Sequence, residues 1–143
     1  MAESEKQVRD MVRDVESVMP GTLTQFVFDY IDAMLFSSTD SQADDIEGFV
    51  EPLDQNYDAS SLSAEFMLQT IADCKKFVDE NYDDIENDME SAAHNFWYTR
   101  NGCGAGFWDG RWEDEIGERL TAASKKFKSI DVYVGDDGLL YGA

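Results

Sequence analysis

The stretch SAEFMLQTIADCKKFVDENYDDIENDME, residues 63–90, predicts the best-defined helix of this chain. Its apolar residues recur at intervals of three and four, which places them on one side of a helix that turns about 100° per residue. Ser63 starts this helix. The apolar stripe consists of Leu68, Ile71, Cys74, Val78, Tyr82, Ile85 and Met89. A helix that runs unbroken through residue 89 would therefore have one apolar seam to bury.

Acidic residues border this seam on both sides. The same helical projection puts Asp79, Asp83, Glu86 and Glu90 on one flank. It puts Asp73, Glu80, Asp84 and Asp88 on the other. Charged rows of this kind are found on solvated helix faces and on surfaces that bind charged partners. We predict that these eight side chains form a partner-binding acidic surface.

On the N-terminal side, helical spacing of apolar residues predicts a short helix over residues 4–18, loosely attached, ended by Pro20-Gly21. The segment from Leu23 to Leu35 has the pattern of a largely buried helix. Residues 37–62 mix Ser, Asp, Gly and Pro with a few apolar anchors and read as an acidic connection. Residues 21–90 are therefore predicted to form an acidic helical half.

Residues 91–143 have a different character, rich in aromatic residues and glycine. Asn101-Gly102 predicts a β-hairpin turn, and Asp136-Asp137-Gly138 predicts a second hairpin near the C-terminus. Helical periodicity between them predicts a helix over residues 112–127. The first hairpin offers an alternative partner-binding set, Arg100, Asn101, Trp108 and Asp109. The prediction is one α+β domain over residues 1–143, with N-terminal helices packed on a small antiparallel sheet of two hairpins around one helix.

The charge balance excludes several classes of partner. The 143 residues include 31 Asp and Glu against 11 Lys and Arg, giving a net charge of −20. Residues 21–60 hold nine acidic residues and no Lys or Arg, and residues 61–90 hold nine acidic residues against two Lys, so −16 of this charge falls within residues 21–90. Such a chain repels phosphate backbones and anionic lipid heads, which disfavours nucleic acid and membrane as direct partners. A basic protein surface is the partner that this charge favours.

No pattern predicts an enzyme, a metal site or a cofactor. His94 and Cys103 could imitate a thiol–imidazole dyad, but no third group is evident to orient them. Residues 79–90 match several ligand positions of an EF-hand loop, yet Asp84 stands where that loop needs glycine. With only two cysteines, no signal-peptide pattern and no long apolar run, we expect reduced thiols in a cytoplasmic protein.

The chain resembles a family of small acidic proteins encoded by many tailed bacteriophages. The resemblance rests on the block FWYTRNGCGAGFWDG, which follows His94, and on the ending DVYVGDDGLLYG. The matching positions are His94, Phe96, Trp97, Thr99, Arg100, Asn101, Gly102, Gly104, Gly106, Phe107, Trp108, Asp109, Asp131, Tyr133, Val134, Gly135, Asp136, Asp137, Gly138 and Tyr141. FVFDYIDAMLF and IADCKKFVDEN are also similar, so the likeness spans most of residues 24–141. Cys103 departs from it, because many relatives have His there.

The resemblance implies a phage product that acts in the cytoplasm of a host bacterium, among genes that often disable or redirect host proteins. Together with the charge, it predicts an interaction protein whose acidic half binds a basic, DNA-handling host or phage protein. Carboxylates along a helix can approach the charge density of duplex DNA, so DNA mimicry is one form of this prediction. Recognition through the aromatic-glycine hairpin is the alternative. The apolar seam of residues 68–89 leaves a homodimer open.

Overall fold

Four helices and one small antiparallel sheet make up the fold in our computed structural model, which describes residues 22–38, 53–103, 105–109 and 111–143. The helices are α1 (Thr22–Ser37), α2 (Ala64–Ile85), α3 (Met89–Asn101) and α4 (Asp114–Lys125). The strands are β1 (Val132–Val134) and β2 (Leu140–Gly142). The α+β class, with helices followed by a small C-terminal sheet, is confirmed. The predicted helix over residues 4–18 lies outside the described residues, as do residues 39–52 of the acidic connection.

Helix α2 begins where the sequence predicts. The Ser63 hydroxyl accepts a hydrogen bond from the Phe66 amide at 3.1 Å, which satisfies one of the free N–H groups of the first turn. Ile71, Cys74, Val78 and Ile85 are buried as predicted. Leu68 and Tyr82 are instead exposed, because the buried face follows Phe66, Thr70 and Phe77.

The prediction of one helix through residue 89 is wrong. Helix α2 stops at Ile85, and Glu86 and Asn87 form a turn before α3 begins at Met89. Asp88 caps the new helix by accepting a hydrogen bond from the Ser91 amide at 3.3 Å. An Asp at the N-cap position is a strong start signal for a helix, and it outweighs the continued apolar periodicity here.

The first predicted hairpin is also wrong, since α3 occupies its N-terminal half. Asn101 is the last residue of α3, and Gly102 follows with a left-handed φ of 64°. The Asn-Gly pair therefore ends a helix, a role in which left-handed glycine is common. Helix α4 also begins two residues after the predicted Trp112. The second hairpin is confirmed, with Val132 opposite Gly142, Tyr133 opposite Tyr141 and Val134 opposite Leu140.

Stacked aromatic rings hold the two halves of the chain together. Phe77 of α2 stacks on Phe96 of α3 with ring centroids 4.1 Å apart, and it also contacts Phe107 and Phe127. Helix α1 packs along α3, where Tyr30 meets Phe96 at 5.3 Å. Rings of this size account for much of the buried apolar area, and their close pairing adds to it. One continuous core therefore lies between α1, α2, α3 and the start of α4.

Candidate protein interaction site

An arginine at the end of α3 neutralises the first of the eight predicted acidic residues. Arg100 donates to Asp73 at 2.9 Å, to the Tyr30 hydroxyl at 3.2 Å and to the Lys128 carbonyl at 2.6 Å. The Arg100 side chain is only 4% exposed and that of Asp73 only 13%. Burial raises the pKa of Tyr30, with Arg100 opposing the shift, so the phenol stays protonated at neutral pH. Asp73 is thus mostly buried and neutralised within the molecule.

Two further aspartates of the predicted surface pair with arginines that follow α3. Arg119 of α4 donates two hydrogen bonds to the carboxylate of Asp84, at 2.7 and 3.1 Å. This bidentate geometry is typical of strong arginine–carboxylate pairs. Arg111, before α4, reaches Asp88 at 3.3 Å. Every arginine of residues 91–143 is therefore used to join an aspartate of α2 or its C-terminal turn. We call Asp73, Asp84 and Asp88 the paired aspartates.

The other predicted acidic residues behave differently. Asp79 pairs with Lys75 at 2.6 Å in a half-exposed contact within α2. Glu80, Asp83, Glu86 and Glu90 are exposed and form no ion pair within the described part of the chain. The three in α2 and its C-cap span an arc of about 120° on the helix surface. We call these four residues the outward carboxylates. The structure thus separates the eight predicted residues into the three paired aspartates, the four outward carboxylates and Asp79, which pairs with Lys75 within α2.

Two of the outward carboxylates, Asp83 and Glu86, lie where α2 disfavours them. Asp83 is in the last turn of α2 and Glu86 is its C-cap, and that turn contains no basic residue. Glu90, in the first turn of α3, is favoured there, whereas a helix C-terminus carries partial negative charge and disfavours carboxylates. The presence of Asp83 and Glu86 opposes the stability of α2, which is common at functional sites.

The alternative set is divided as well. Arg100 is buried in the contacts described above. Asn101 donates to the Trp97 carbonyl at 2.9 Å and accepts from the Ile130 amide at 2.7 Å. Trp108 and Asp109 are exposed, with Trp108 at 48%. Partner binding by these four residues stays a prediction, but only Trp108 and Asp109 present their side chains to solvent.

A groove with a volume of about 520 Å³ lies between α4 and the segment that precedes it. We call this segment, which contains Phe107, Trp108 and Trp112, the aromatic segment. The walls of the groove are Phe107, Trp108, Trp112, Asp114, Gly117, Glu118, Thr121, Ala122 and Lys125. Gly117 lets α4 approach closely, because a Cβ there would lie 2.6 Å from the Phe107 carbonyl oxygen. The sequence reasoning missed Trp112, Asp114 and Glu118 as site residues. The signal available in the sequence was the i, i+4 spacing of Asp114 and Glu118, shortly after Trp108 and Trp112.

The thiol and imidazole groups have no arrangement that activates a nucleophile within the described residues. Both cysteines are free, with Cys74 buried and Cys103 exposed. Partial burial raises the pKa of the Cys103 thiol, whereas a nucleophilic cysteine needs a lowered pKa. No hydrogen bond joins Cys103 to His94 in these segments. Nor do the described residues contain three His, Cys, Asp or Glu side chains grouped closely enough to hold a metal ion.

No family model, curated protein or solved structure matches this chain. The resemblance to the tailed-phage family therefore stays a prediction. In the segments that the structure describes, no helix combines the length and apolar character needed to cross a bilayer.

Proposed function

We propose that this chain is a phage-encoded acidic interaction protein that binds a basic, DNA-handling protein through its outward carboxylates, Glu80, Asp83, Glu86 and Glu90. Binding would inhibit the target or redirect it, and the host cytoplasm is where this would occur. The observation that carries the proposal is the absence of internal partners for these four side chains within the described residues, combined with the cost that Asp83 and Glu86 impose on the C-terminal end of α2. Cations on a partner would offset that cost.

The geometry supports a restricted form of DNA mimicry. Glu80, Asp83 and Glu86 are three residues apart, which is an axial spacing of about 4.5 Å along a helix. One strand of duplex DNA presents a phosphate about every 3.4 Å of axis, and both strands together one about every 1.7 Å. The paired aspartates no longer contribute to a second row. The outward carboxylates therefore match one phosphate row better than they match a duplex.

The test is affinity capture from a bacterial lysate with and without competing duplex DNA. The test variant carries Glu80→Gln, Asp83→Asn, Glu86→Gln and Glu90→Gln. The matched control neutralises four exposed carboxylates elsewhere, through Asp32→Asn, Glu65→Gln, Asp131→Asn and Asp136→Asn. Both variants change the net charge by the same amount, so they separate a specific surface from general acidity.

We expect the wild type and the control to capture a basic protein that is released by duplex DNA and by raising salt from about 0.1 to about 0.5 M. The test variant should fail to capture it. Equal capture by both variants would contradict the assignment of the outward carboxylates, and a complex indifferent to salt would contradict the electrostatic basis.

The aromatic segment is a second candidate surface because Trp108 is half exposed beside the groove. Recognition there would leave the acidity with no role beyond solubility. In that case the test variant would capture the same protein as the wild type, and Trp108→Ala would lose it.

A further inference from the structure

The groove beside α4 combines aromatic walls with acidic side chains at one end. Phe107, Trp108 and Trp112 supply the rings, and Phe107 meets Trp112 edge to face at 5.4 Å. Asp114 and Glu118, one turn apart on α4, supply two carboxylates. The opposite end is lined by Lys125, seven residues or about 10 Å along the helix from Glu118. The acidic end of the groove is therefore distinct from its basic end.

Aromatic rings beside carboxylates favour a cation. The face of an indole ring attracts Lys and Arg, and tryptophan is the strongest of the aromatic residues in this respect. A guanidinium group stacks on an indole and offers a planar set of donors to a carboxylate, whereas an ammonium group is more strongly hydrated and lacks that plane. An apolar side chain could pack on the aromatic rings, but it would desolvate the carboxylates of Asp114 and Glu118 without offering them hydrogen bonds. An anion would meet the same two carboxylates.

Two polar atoms in the groove walls also lack partners among the described residues. The indole nitrogen of Trp112 and the hydroxyl of Thr121 are buried without a hydrogen bond. Buried polar groups are almost always paired in native structures. Both residues line this groove, but a guanidinium group has only donors, so it could pair with the Thr121 hydroxyl and not with the Trp112 N–H.

We propose that this groove binds an arginine side chain of the basic partner, with Trp108 and Trp112 against the guanidinium plane and Asp114 and Glu118 accepting its hydrogen bonds. The inference rests on the proposed function, because it names the residue by which the partner would be recognised. The charge of the chain complements such an occupant, since its net charge is −20. Long-range attraction would come from the outward carboxylates and specificity from the groove.

The test uses a defined probe and the three indole N–H signals of the intact protein in a nitrogen–proton NMR spectrum. An acetylated and amidated Gly-Arg-Gly peptide is titrated into the protein, and the same peptide with citrulline, the neutral isostere of arginine, is the control. Trp97 provides an internal reference because it is buried and its indole donates to the Ser37 hydroxyl at 2.7 Å. We expect saturable shifts at Trp108 and Trp112 with the arginine peptide alone.

Variants then separate the groove from the rest of the surface. Glu118→Gln removes one carboxylate without touching the core, and Trp108→Ala removes one ring. Each should weaken arginine binding by about two- to fivefold. Tyr133→Ala, which removes a ring of similar exposure (45%) that lines another cavity, should leave it unchanged. Equal shifts with arginine and citrulline, or no effect of Glu118→Gln, would overturn the inference.

The failure of this inference is distinguishable from failure of the proposed function. If the variant of the four outward carboxylates loses the captured protein while Glu118→Gln and Trp108→Ala retain it, the function stands and the arginine site is wrong. If the peptide titration succeeds but the variant of the outward carboxylates still captures the protein, the arginine site stands and the proposed role of those four carboxylates is wrong.

Discussion

The paired aspartates and the outward carboxylates come from the same 18 residues of sequence, from Asp73 to Glu90, but they have opposite roles in the structure. Asp73, Asp84 and Asp88 join α2 and its C-terminal turn to Arg100, Arg119 and Arg111 of the second half. Glu80, Asp83, Glu86 and Glu90 have no such partner in the described residues. A row of acidic residues in a sequence is thus not one surface. The charge available to a partner comes from the carboxylates that are not already paired with the protein's own arginine and lysine side chains.

The largest effect is expected at the buried end of the paired group. Arg100→Met removes the charge partner of Asp73 and two hydrogen bonds to the Lys128 carbonyl. Because an almost buried carboxylate is left uncompensated, we expect the free energy of unfolding to fall by about 3–5 kcal/mol in urea titration.

Arg119→Met is the control for that measurement. Its ion pair with Asp84 is half exposed on the arginine side, so the expected loss is much smaller than for Arg100→Met. A loss below about 1 kcal/mol for Arg100→Met would mean that the contacts of Arg100 do not hold the two halves together.

A smaller effect is expected at the turn between α2 and α3. Asp88 both caps α3 and accepts a hydrogen bond from Arg111. Asp88→Ala removes both contacts and should lower the free energy of unfolding by about 0.5–2 kcal/mol. Asp88→Ser keeps the cap without the charge, so it should recover most of that loss. If Ser and Ala are equally destabilising, the ion pair rather than the cap is the important contact.

Local sequence patterns predict some elements of this structure and not others. The helical half, the start of α2 at Ser63 and the C-terminal hairpin follow from periodicity, a capping residue and an Asp-Gly turn, all of which act over a few neighbouring residues. The C-terminal end of α2 and the end of α3 at Asn101 could not be predicted from these local patterns. Asn101-Gly102 is compatible with a hairpin or a helix end, and only the packing of Phe96 and Trp97 against Tyr30 of α1 decides between them.

The candidate site shows the same division. Glu80, Asp83, Glu86 and Glu90 are exposed as the projection predicted, although Glu86 and Glu90 lie beyond the end of α2 rather than on one continuous helix. The projection gave Asp73 the same weight, because the arginine that neutralises it is 27 residues away in sequence. The groove was missed for a related reason: Trp112 and Glu118 become neighbours only when α4 packs under the aromatic segment, and Gly117 makes that approach possible.

The carboxylate of Asp137, between β1 and β2, is also paired within the molecule. The Tyr141 hydroxyl donates to Asp137, and this hydrogen bond is the largest cause that holds the pKa of Asp137 below its ordinary value. A lowered pKa in the folded state stabilises the hairpin above the pKa of the unfolded chain, and the stabilisation is lost as pH falls through the folded pKa.

Tyr141→Phe tests that contact by NMR titration of the Asp137 carboxyl carbon. We expect the pKa of Asp137 to rise toward its ordinary value, while the remaining hydrogen bond from the Leu139 amide keeps part of the shift. Tyr133→Phe is the control, since its ring stacks on Tyr141 but no described hydrogen bond joins its hydroxyl to Asp137. An unchanged pKa in Tyr141→Phe would show that the backbone amide alone sets it.

The smallest effect on stability is expected where the effect on binding is largest. The four substitutions Glu80→Gln, Asp83→Asn, Glu86→Gln and Glu90→Gln break no ion pair within the described residues, so the free energy of unfolding should change by no more than about 0.5 kcal/mol. Asp83→Asn and Glu86→Gln should be stabilising at low salt because they remove negative charge from the C-terminal end of α2, whereas Glu90→Gln should be slightly destabilising because it removes negative charge from the first turn of α3. Urea titration at about 0.05 and 0.5 M salt measures both. A marked destabilisation would mean that these carboxylates have internal partners and belong with the paired aspartates; stability unchanged with binding lost would separate the two groups as the structure does.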